Sequence, residues 1–314
     1  MKNHYDLIIV GTGPAGLTAA VYAARARIHT LLLEKEFVNG GQIVNTAEVD
    51  NYPGMPGITG MNLAEAMKDH AGRLGMISVR ESVKEILVDK VNGKKTVVTN
   101  KARYESETVI LATGARHRML GVAGEEELAG MGVSYCATCD GAFYRDQTVA
   151  VIGGGNTAAE DAILLSRICR KVYVIHRRGK LRAEKILQEA LLAAENVEIC
   201  WNTAVTAIEG EDEVSGLRLK DCAADQERFL PVNGVFVAVG VLPNTEAFAG
   251  LVRQDEQGYL CAGEDCCTSE AGIYAAGDVR TKELRQIVTA AADGANAVHA
   301  AEKYLRERIW GKKN

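Results

Sequence analysis

Proline is scarce in this sequence, with five in 314 residues, so its 32 glycines do not form a disordered Pro/Gly-rich linker. Aromatic residues are scarce as well, at 5%, which leaves a mainly aliphatic core. An excess of positive charge is missing. Lys+Arg number 36 against 41 Asp+Glu, a net charge of −5, which argues against a general nucleic-acid binder with its basic face. No apolar run approaches the ~18 residues of a membrane span. The run Leu7-Ile8-Ile9-Val10, after Lys2 and His4, is too short for a signal-peptide core. Eight cysteines fall far below the density of a small disulfide scaffold, and the chain is long enough to bury a core without staples. These absences leave an expected cytoplasmic α/β protein of two or three domains, with glycine at about 10% against a usual ~7%.

The glycines mark a pattern that occurs twice. Tyr5-Asp6-Leu7-Ile8-Ile9-Val10 is a strand-like run followed at once by Gly11-Thr12-Gly13-Pro14-Ala15-Gly16. An Ala-rich helical stretch from Leu17 to Arg27 comes next, then the strand Thr30-Leu31-Leu32-Leu33 ending at Glu34. The first glycine of such a motif permits the tight turn, the second admits a pyrophosphate to the backbone, and the third lets helix and strand approach. The helix N-terminus offers free N–H groups to the phosphates, and Glu34 is placed to accept from ribose hydroxyls. In the second copy, Thr148-Val149-Ala150-Val151-Ile152 leads into Gly153-Gly154-Gly155-Asn156-Thr157-Ala158. A helix from Ala159 to Ile168 and the strand Lys171-Val172-Tyr173-Val174-Ile175 follow, ending at His176. Gly11 to Glu34 and Gly153 to His176 are both 23 positions. The acid of the first copy is replaced by His176, with Arg177, Arg178, Lys180 and Arg182 close behind. A carboxylate would repel a 2′-phosphate and a cation cluster would bind one. The first site therefore suits an adenosine with free ribose hydroxyls and the second suits NADPH.

Each half has a further strand, at Thr108 to Gly114 and at Gly234 to Gly240, with β-like text at residues 94–100 and 214–219 between. Each half thus reads as a Rossmann-type unit with an inserted strand group. A third strand, Gly272 to Asp278, precedes a long Ala-rich helical stretch from Gln286 to Arg308.

Cys136-Ala137-Thr138-Cys139-Asp140 holds the single Cys-x-x-Cys. Zinc would need a second pair or nearby histidines, so no metal is expected. Two cysteines at this spacing suit redox work, one thiolate attacking and the other resolving the mixed disulfide. Asp140 reads equally as a proton donor or as a turn aspartate. The other six cysteines, adjacent Cys266-Cys267 included, read as buried or idle thiols. Two nucleotide sites and one dithiol make an electron path. NADPH supplies a hydride, a flavin accepts it, and a disulfide takes the two electrons, which assigns FAD to the first site.

These segments, together with Gly40-Gly41-Gln42, Asn51-Tyr52-Pro53-Gly54, Ala112-Thr113-Gly114-Ala115, Gly277-Asp278-Val279 and Arg285-Gln286, closely resemble the bacterial-type (low-molecular-weight) thioredoxin reductases over essentially the whole chain. The resemblance implies two Rossmann-like, three-layer ββα domains. Residues 1–116 and 244–314 would form a discontinuous FAD domain, and residues 117–243 an inserted NADPH domain that carries the dithiol and must rotate during turnover. It implies that Cys139 lies against the flavin, that Cys136 attacks thioredoxin, and that Asp140 protonates the departing thiolate. FAD would be held by Gly11, Gly13, Pro14, Ala15, Gly16, Glu34, Lys35, Gly41, Gln42, Asn51, Ala112, Thr113, Gly114, Gly277, Asp278, Arg285, Gln286 and Ile287. NADPH would be held by Gly153, Gly155, Asn156, Thr157, His176, Arg177, Arg178 and Arg182. The family implies a homodimer, while the acidic balance and the lack of a long apolar run leave no nucleic-acid or membrane partner expected. A flavoprotein of this fold serving a peroxiredoxin-system protein or a small dithiol is the alternative. A nucleotide-binding redox sensor without turnover is the reading from another class.

Overall fold

The computed structural model describes residues 4–46 and 48–308. Along the chain come β1 (His4–Val10), α1 (Pro14–Arg25), β2 (Thr30–Glu34), α2 (Gly60–Arg73), β3 (Ser78–Arg80), β4 (Val83–Val88), β5 (Lys95–Thr99), β6 (Arg103–Leu111) and β7 (Ala115–His117). Then follow β8 (Val133–Ser134), α3 (Ala137–Asp140), β9 (Thr148–Gly153), α4 (Asn156–Ser166), β10 (Lys171–Ile175), α5 (Lys185–Leu192) and β11 (Val197–Cys200). The strands β12 (Thr203–Gly210), β13 (Val214–Asp221), β14 (Glu227–Pro231) and β15 (Gly234–Ala238) precede β16 (Val241–Pro243), β17 (Ile273–Ala275) and α6 (Ile287–Arg308). The chain divides into two compact units. One joins Met1–Arg116 to Leu242–Asn314, and the other is His117–Val241.

In the first unit the sheet runs β3-β2-β1-β6-β5-β4. β6 is long enough to serve two partners on one edge. Its first half pairs antiparallel with β5 and its last residues pair parallel with β17. β1 is buried on both faces, which is why it reads as an unbroken apolar run rather than an alternation. Leu7 and Ile9 pack into the helical layer with Leu17, Ala20 and Val298. Ile8 and Val10 pack on the other side with Val97, Phe248 and Leu260. The helical layer is thin because its residues are small. A Cβ added at Gly294 in α6 would lie 2.2 Å from the Ala15 carbonyl oxygen of α1.

The second unit repeats the plan. Its parallel sheet β11-β10-β9-β15-β8 is covered on one face by helices and on the other by the antiparallel β12-β13-β14. Ala158, Ala162 and Leu165, spaced at i, i+4 and i+7, put the buried stripe of α4 against Val149, Val151 and Phe236. Ala150, Ile152 and Val237 face the antiparallel layer through Leu217 and Leu219. The chain passes between the units at β7 and β16, which pair with each other.

Among the described residues no helix is long and apolar enough to cross a membrane, and no group of His, Cys, Asp and Glu could hold a metal ion.

Candidate active site

In the first unit the glycine motif is shaped by contacts between backbones. Gly11 takes a positive φ of 105°, which other residues rarely adopt. A Cβ on Gly16 would lie 1.9 Å from the Gly11 carbonyl oxygen. The last residues of the motif are already helical: Pro14 opens α1, where its missing N–H removes nothing. Glu34, at the end of β2, is buried. Its Oε2 accepts from the Thr12 amide at 2.9 Å and from the Thr12 hydroxyl. Its Oε1 accepts from the amides of Lys35 and Glu36 at 2.7 and 2.9 Å. Four acceptances occupy the roughly four lone-pair sites of a carboxylate. Glu34 thus clamps the glycine turn to β2, and a ribose hydroxyl there would compete with that of Thr12. Lys35 beside it is exposed.

Gly41 brings its backbone against Gly13, where an added Cβ would meet Gly13 Cα at 3.3 Å. Gln42 Nε2 donates to the Ala115 carbonyl, and Asn51 Nδ2 donates to Gln286 Oε1 at 2.8 Å. Thr113 and Asn244 exchange hydrogen bonds at 2.7 and 2.8 Å, and Gly114, open to added bulk, follows Ala112 and Thr113 at the end of β6. Ile287 begins α6.

The Gly277-Asp278 turn hangs from α6. Asp293 takes the Gly277 amide at 2.9 Å, Arg280 Nε and Nη2 at 2.8 and 2.7 Å, and Lys282 Nζ at 2.8 Å. Burial pushes the Asp278 carboxyl above its ordinary value. Asp278 Oδ1 and Arg285 Nε are buried without a partner in the described protein, and the Arg285 guanidinium stacks 4.0 Å from the Tyr259 ring centroid. Buried polar atoms without partners commonly serve a bound group. With the glycine turn they fit a flavin dinucleotide.

In the second unit Gly153 packs on Ala238, where a Cβ would meet the carbonyl oxygen at 2.4 Å. A Cβ on Gly154 would lie 2.2 Å from the His176 ring. His176 is buried, its Nε2 lies 3.0 Å from the Lys180 carbonyl, and burial lowers its pKa. The ring is therefore packing beneath the turn, whereas Arg177, Arg178, Lys180 and Arg182 are exposed. The Arg182 amide donates to the Gly154 carbonyl at 2.7 Å, which draws the basic loop to the turn. Asn156 and Glu184 exchange hydrogen bonds at 3.0 Å, and Thr157 is exposed. Gly155 has nothing within 4 Å of an added Cβ. An open turn beside exposed arginines fits a phosphorylated dinucleotide.

Cys136 and Cys139 form a disulfide, with Cα atoms 5.3 Å apart at the start of α3. The α3 segment packs against α4. Burial raises the Asp140 carboxyl above its ordinary value, and a hydrogen bond from Ser134 at 2.6 Å partly offsets this. Ser134 also accepts the Cys136 amide at 3.1 Å. Tyr135 stacks on His117 and donates to the buried Glu125, which in turn takes the amides of Leu120 and Gly121. The other six cysteines are free. Burial raises Cys169 to about 11 and Cys266 to about 12.

Sequence reasoning missed Ser134, Glu125 and the Asp293 cluster. Ser134 gives no sequence signal. Asp293 does, as an acid set in the Ala-rich stripe of α6.

The profile of the pyridine nucleotide-disulphide oxidoreductases matches residues 5–294. A thioredoxin reductase of Listeria monocytogenes is 47% identical over 306 residues, covering 96% of this chain and 94% of that protein. One from Bacillus subtilis is 42% identical over 96% of this chain and 95% of its own length. The crystal structure of the Streptococcus pyogenes thioredoxin reductase superposes with a TM-score of 0.93 at 42% identity, covering 98% of this chain and all of that one.

Proposed function

Because the chain belongs to the pyridine nucleotide-disulphide oxidoreductases and, within them, to the FAD-containing, NADPH-dependent bacterial-type thioredoxin reductases, we propose how its own residues divide the reaction. The first unit is the FAD domain and the second the NADPH domain that carries the disulfide. The chemistry that FAD supplies when bound is the passage of two electrons from NADPH to that disulfide. Gly11, Gly13 and Gly16 let the backbone approach the FAD pyrophosphate, and Asp278 and Arg285 hold the cofactor through the polar atoms they bury. Gly155, Asn156 and Thr157 receive the NADPH phosphates, and Arg177, Arg178 and Arg182 pair with its 2′-phosphate.

Cys139 faces the flavin and Cys136 attacks the disulfide of oxidised thioredoxin. Asp140 gives a proton to the thiolate that leaves, and Cys139 then attacks Cys136 to close the disulfide again. The observation that carries this reading is the Cys136–Cys139 disulfide beside a carboxyl whose pKa burial has raised. A carboxyl so raised keeps its proton closer to neutral pH, as a general acid must.

The protein acts as a cytoplasmic homodimer in this reading. The strongly exposed Phe37 and Ile77 of the first unit support an interface there, and sedimentation of a monomer would reject it.

The functional test uses absorbance. NADPH should bleach the flavin of the native enzyme and of Cys139→Ser, and oxidised thioredoxin should restore the flavin colour in the native enzyme alone. Restoration by thioredoxin in Cys139→Ser refutes the path through the disulfide.

A further inference from the structure

The Ser134 hydroxyl is buried and has one proton to give. It accepts the Cys136 amide at 3.1 Å. Two oxygens compete for its proton, Asp140 Oδ2 at 2.6 Å and the Cys136 carbonyl at 3.4 Å. The first distance is normal for a hydroxyl donor and the second is too long. Were the acid's own proton on Oδ2, Ser134 would have to turn to the 3.4 Å contact. Asp140 Oδ1 accepts no hydrogen bond among the described residues.

We propose that Ser134 is a positioning residue for the protein-disulfide step: it holds Asp140 Oδ2 as an acceptor, so that Asp140 carries and delivers its proton on Oδ1. The proposal rests on the reading of Asp140 as the acid. In the step, Cys136 Sγ bonds to one sulfur of the substrate disulfide as the substrate S–S bond breaks. The departing thiolate takes the proton from Oδ1, which leaves a thiol and a carboxylate still bonded to Ser134. Cys139 then re-forms the enzyme disulfide and releases the second substrate thiolate, which is protonated by solvent. The substrate gains two electrons and the enzyme dithiol loses them.

In the dithiol enzyme the ionisable groups around Asp140 include the thiols of Cys136 and Cys139 beside it, Tyr144 on the turn after α3, and Glu160 and Asp161 on α4. Burial raises Tyr144 to about 12, with a contribution from Asp140. Burial and Glu160 raise Asp161 to about 7.

The experiment follows reduction of a protein disulfide by the FAD-loaded enzyme across pH. Ser134 stabilises the ion more than the acid, because hydrogen bonds to ions are stronger. Ser134→Ala should therefore move the alkaline limb of kcat up by about one pH unit. Ser134→Thr should restore it, and flavin bleaching by NADPH should persist in both. An equal loss at every pH, with the limb unmoved, overturns the proposal. Should the alanine variant not bind FAD, Ser134→Thr and Ser134→Val give the same comparison, differing only in the hydroxyl. An infrared titration adds a readout independent of turnover. The carboxylic-acid band that vanishes in Asp140→Asn should titrate higher in Ser134→Ala, and an unchanged titration overturns the proposal. Asp140→Asn also separates the two failures. If it removes the limb while Ser134→Ala leaves it in place, the positioning role alone fails. If it keeps the limb, Asp140 is not the acid.

Discussion

Replacing Asp293 by asparagine should unfasten the turn that presents Asp278. The Asp293 and Arg280 side chains are each 3% exposed and that of Lys282 is 6% exposed. Removing the carboxylate leaves two cations out of water, with the largely exposed Glu264 the acid still paired to Arg280 among the described residues. Breaking a buried pair by removing one partner costs about 3–5 kcal/mol. At about 2–4 °C per kcal/mol for a unit of this size, the transition of the first unit should fall by roughly 6–20 °C. The Gly277 amide loses its acceptor as well, so FAD should be released sooner. Calorimetry of the apoprotein isolates the stability effect from cofactor linkage, and the rise in flavin fluorescence on release reports the affinity.

The effect has a defined pH dependence. Burial alone would raise the Asp293 carboxyl, but hydrogen bonds from Arg280 and Lys282 outweigh it and hold the group below 3.8. A carboxyl depressed in the native state stabilises fully above its unfolded value and loses that contribution as pH falls through the folded value. The gap between native protein and variant should therefore be constant near neutrality and close below about pH 4. A variant that melts within about 1 kcal/mol of the native protein and keeps its FAD would refute the argument.

Arg177→Ala and Arg178→Ala should each raise the KM for NADPH by roughly tenfold or more, from about 1.5–3 kcal/mol per charged hydrogen bond, and leave that for NADH unchanged. Equal effects on both cofactors in steady-state assays would remove the arginines from the 2′-phosphate. Lys95, fully buried with Nζ 2.9 Å from the Glu107 carbonyl, is lowered to about 8 by burial and then by Arg308. Its unfolded value of 10.5 is higher, so it opposes folding below about pH 8 and that opposition fades as pH rises toward 10.5. Lys95→Met should melt no lower than the native protein at pH 7, with the difference shifting toward the native protein above pH 8; a pH-independent difference counts against it. Gly16→Ala should cost at least about 1–3 kcal/mol and most bound FAD, because its Cβ would meet a carbonyl oxygen that cannot move alone. Normal flavin content in the purified variant would contradict this.

Both β-α-β units were legible because strand, glycine turn and helix each leave a local mark, and β1, β9 and β10 follow the apolar runs closely. Helix starts were less legible. The sequence places the first helix from Leu17, yet α1 begins at Pro14, since the third motif glycine is used inside the first turn. α2 went unread because its buried residues are few and small apart from Leu63, although Thr59 caps it by accepting the Asn62 amide. The arginines of the second unit were legible as a charge cluster. That His176 turns inward while its neighbours turn out was not, because the decision belongs to the space that Gly154 leaves. Ser134 and Asp293 act through several hydrogen bonds each, to Cys136 and Asp140 and to Gly277, Arg280 and Lys282, whose geometry exists only once the chain has folded and which one residue in a string does not announce.

The packing of His176 under Gly154 limits how the coenzyme preference of this enzyme can be redesigned. The obvious exchange, His176→Glu, would copy the acid that ends the first motif's second strand. Here it would push a carboxylate into a space already shaped to an imidazole, beneath the turn rather than beside a ribose. On the proposed pairing of Arg177, Arg178 and Arg182 with the 2′-phosphate, a route to NADH would instead rebuild that exposed loop and leave the histidine–glycine contact untouched. The same contact ties positions 154 and 176 together: a side chain added at 154 needs a smaller residue at 176, whereas glycine at 154 has nothing to give up for a larger one at 176.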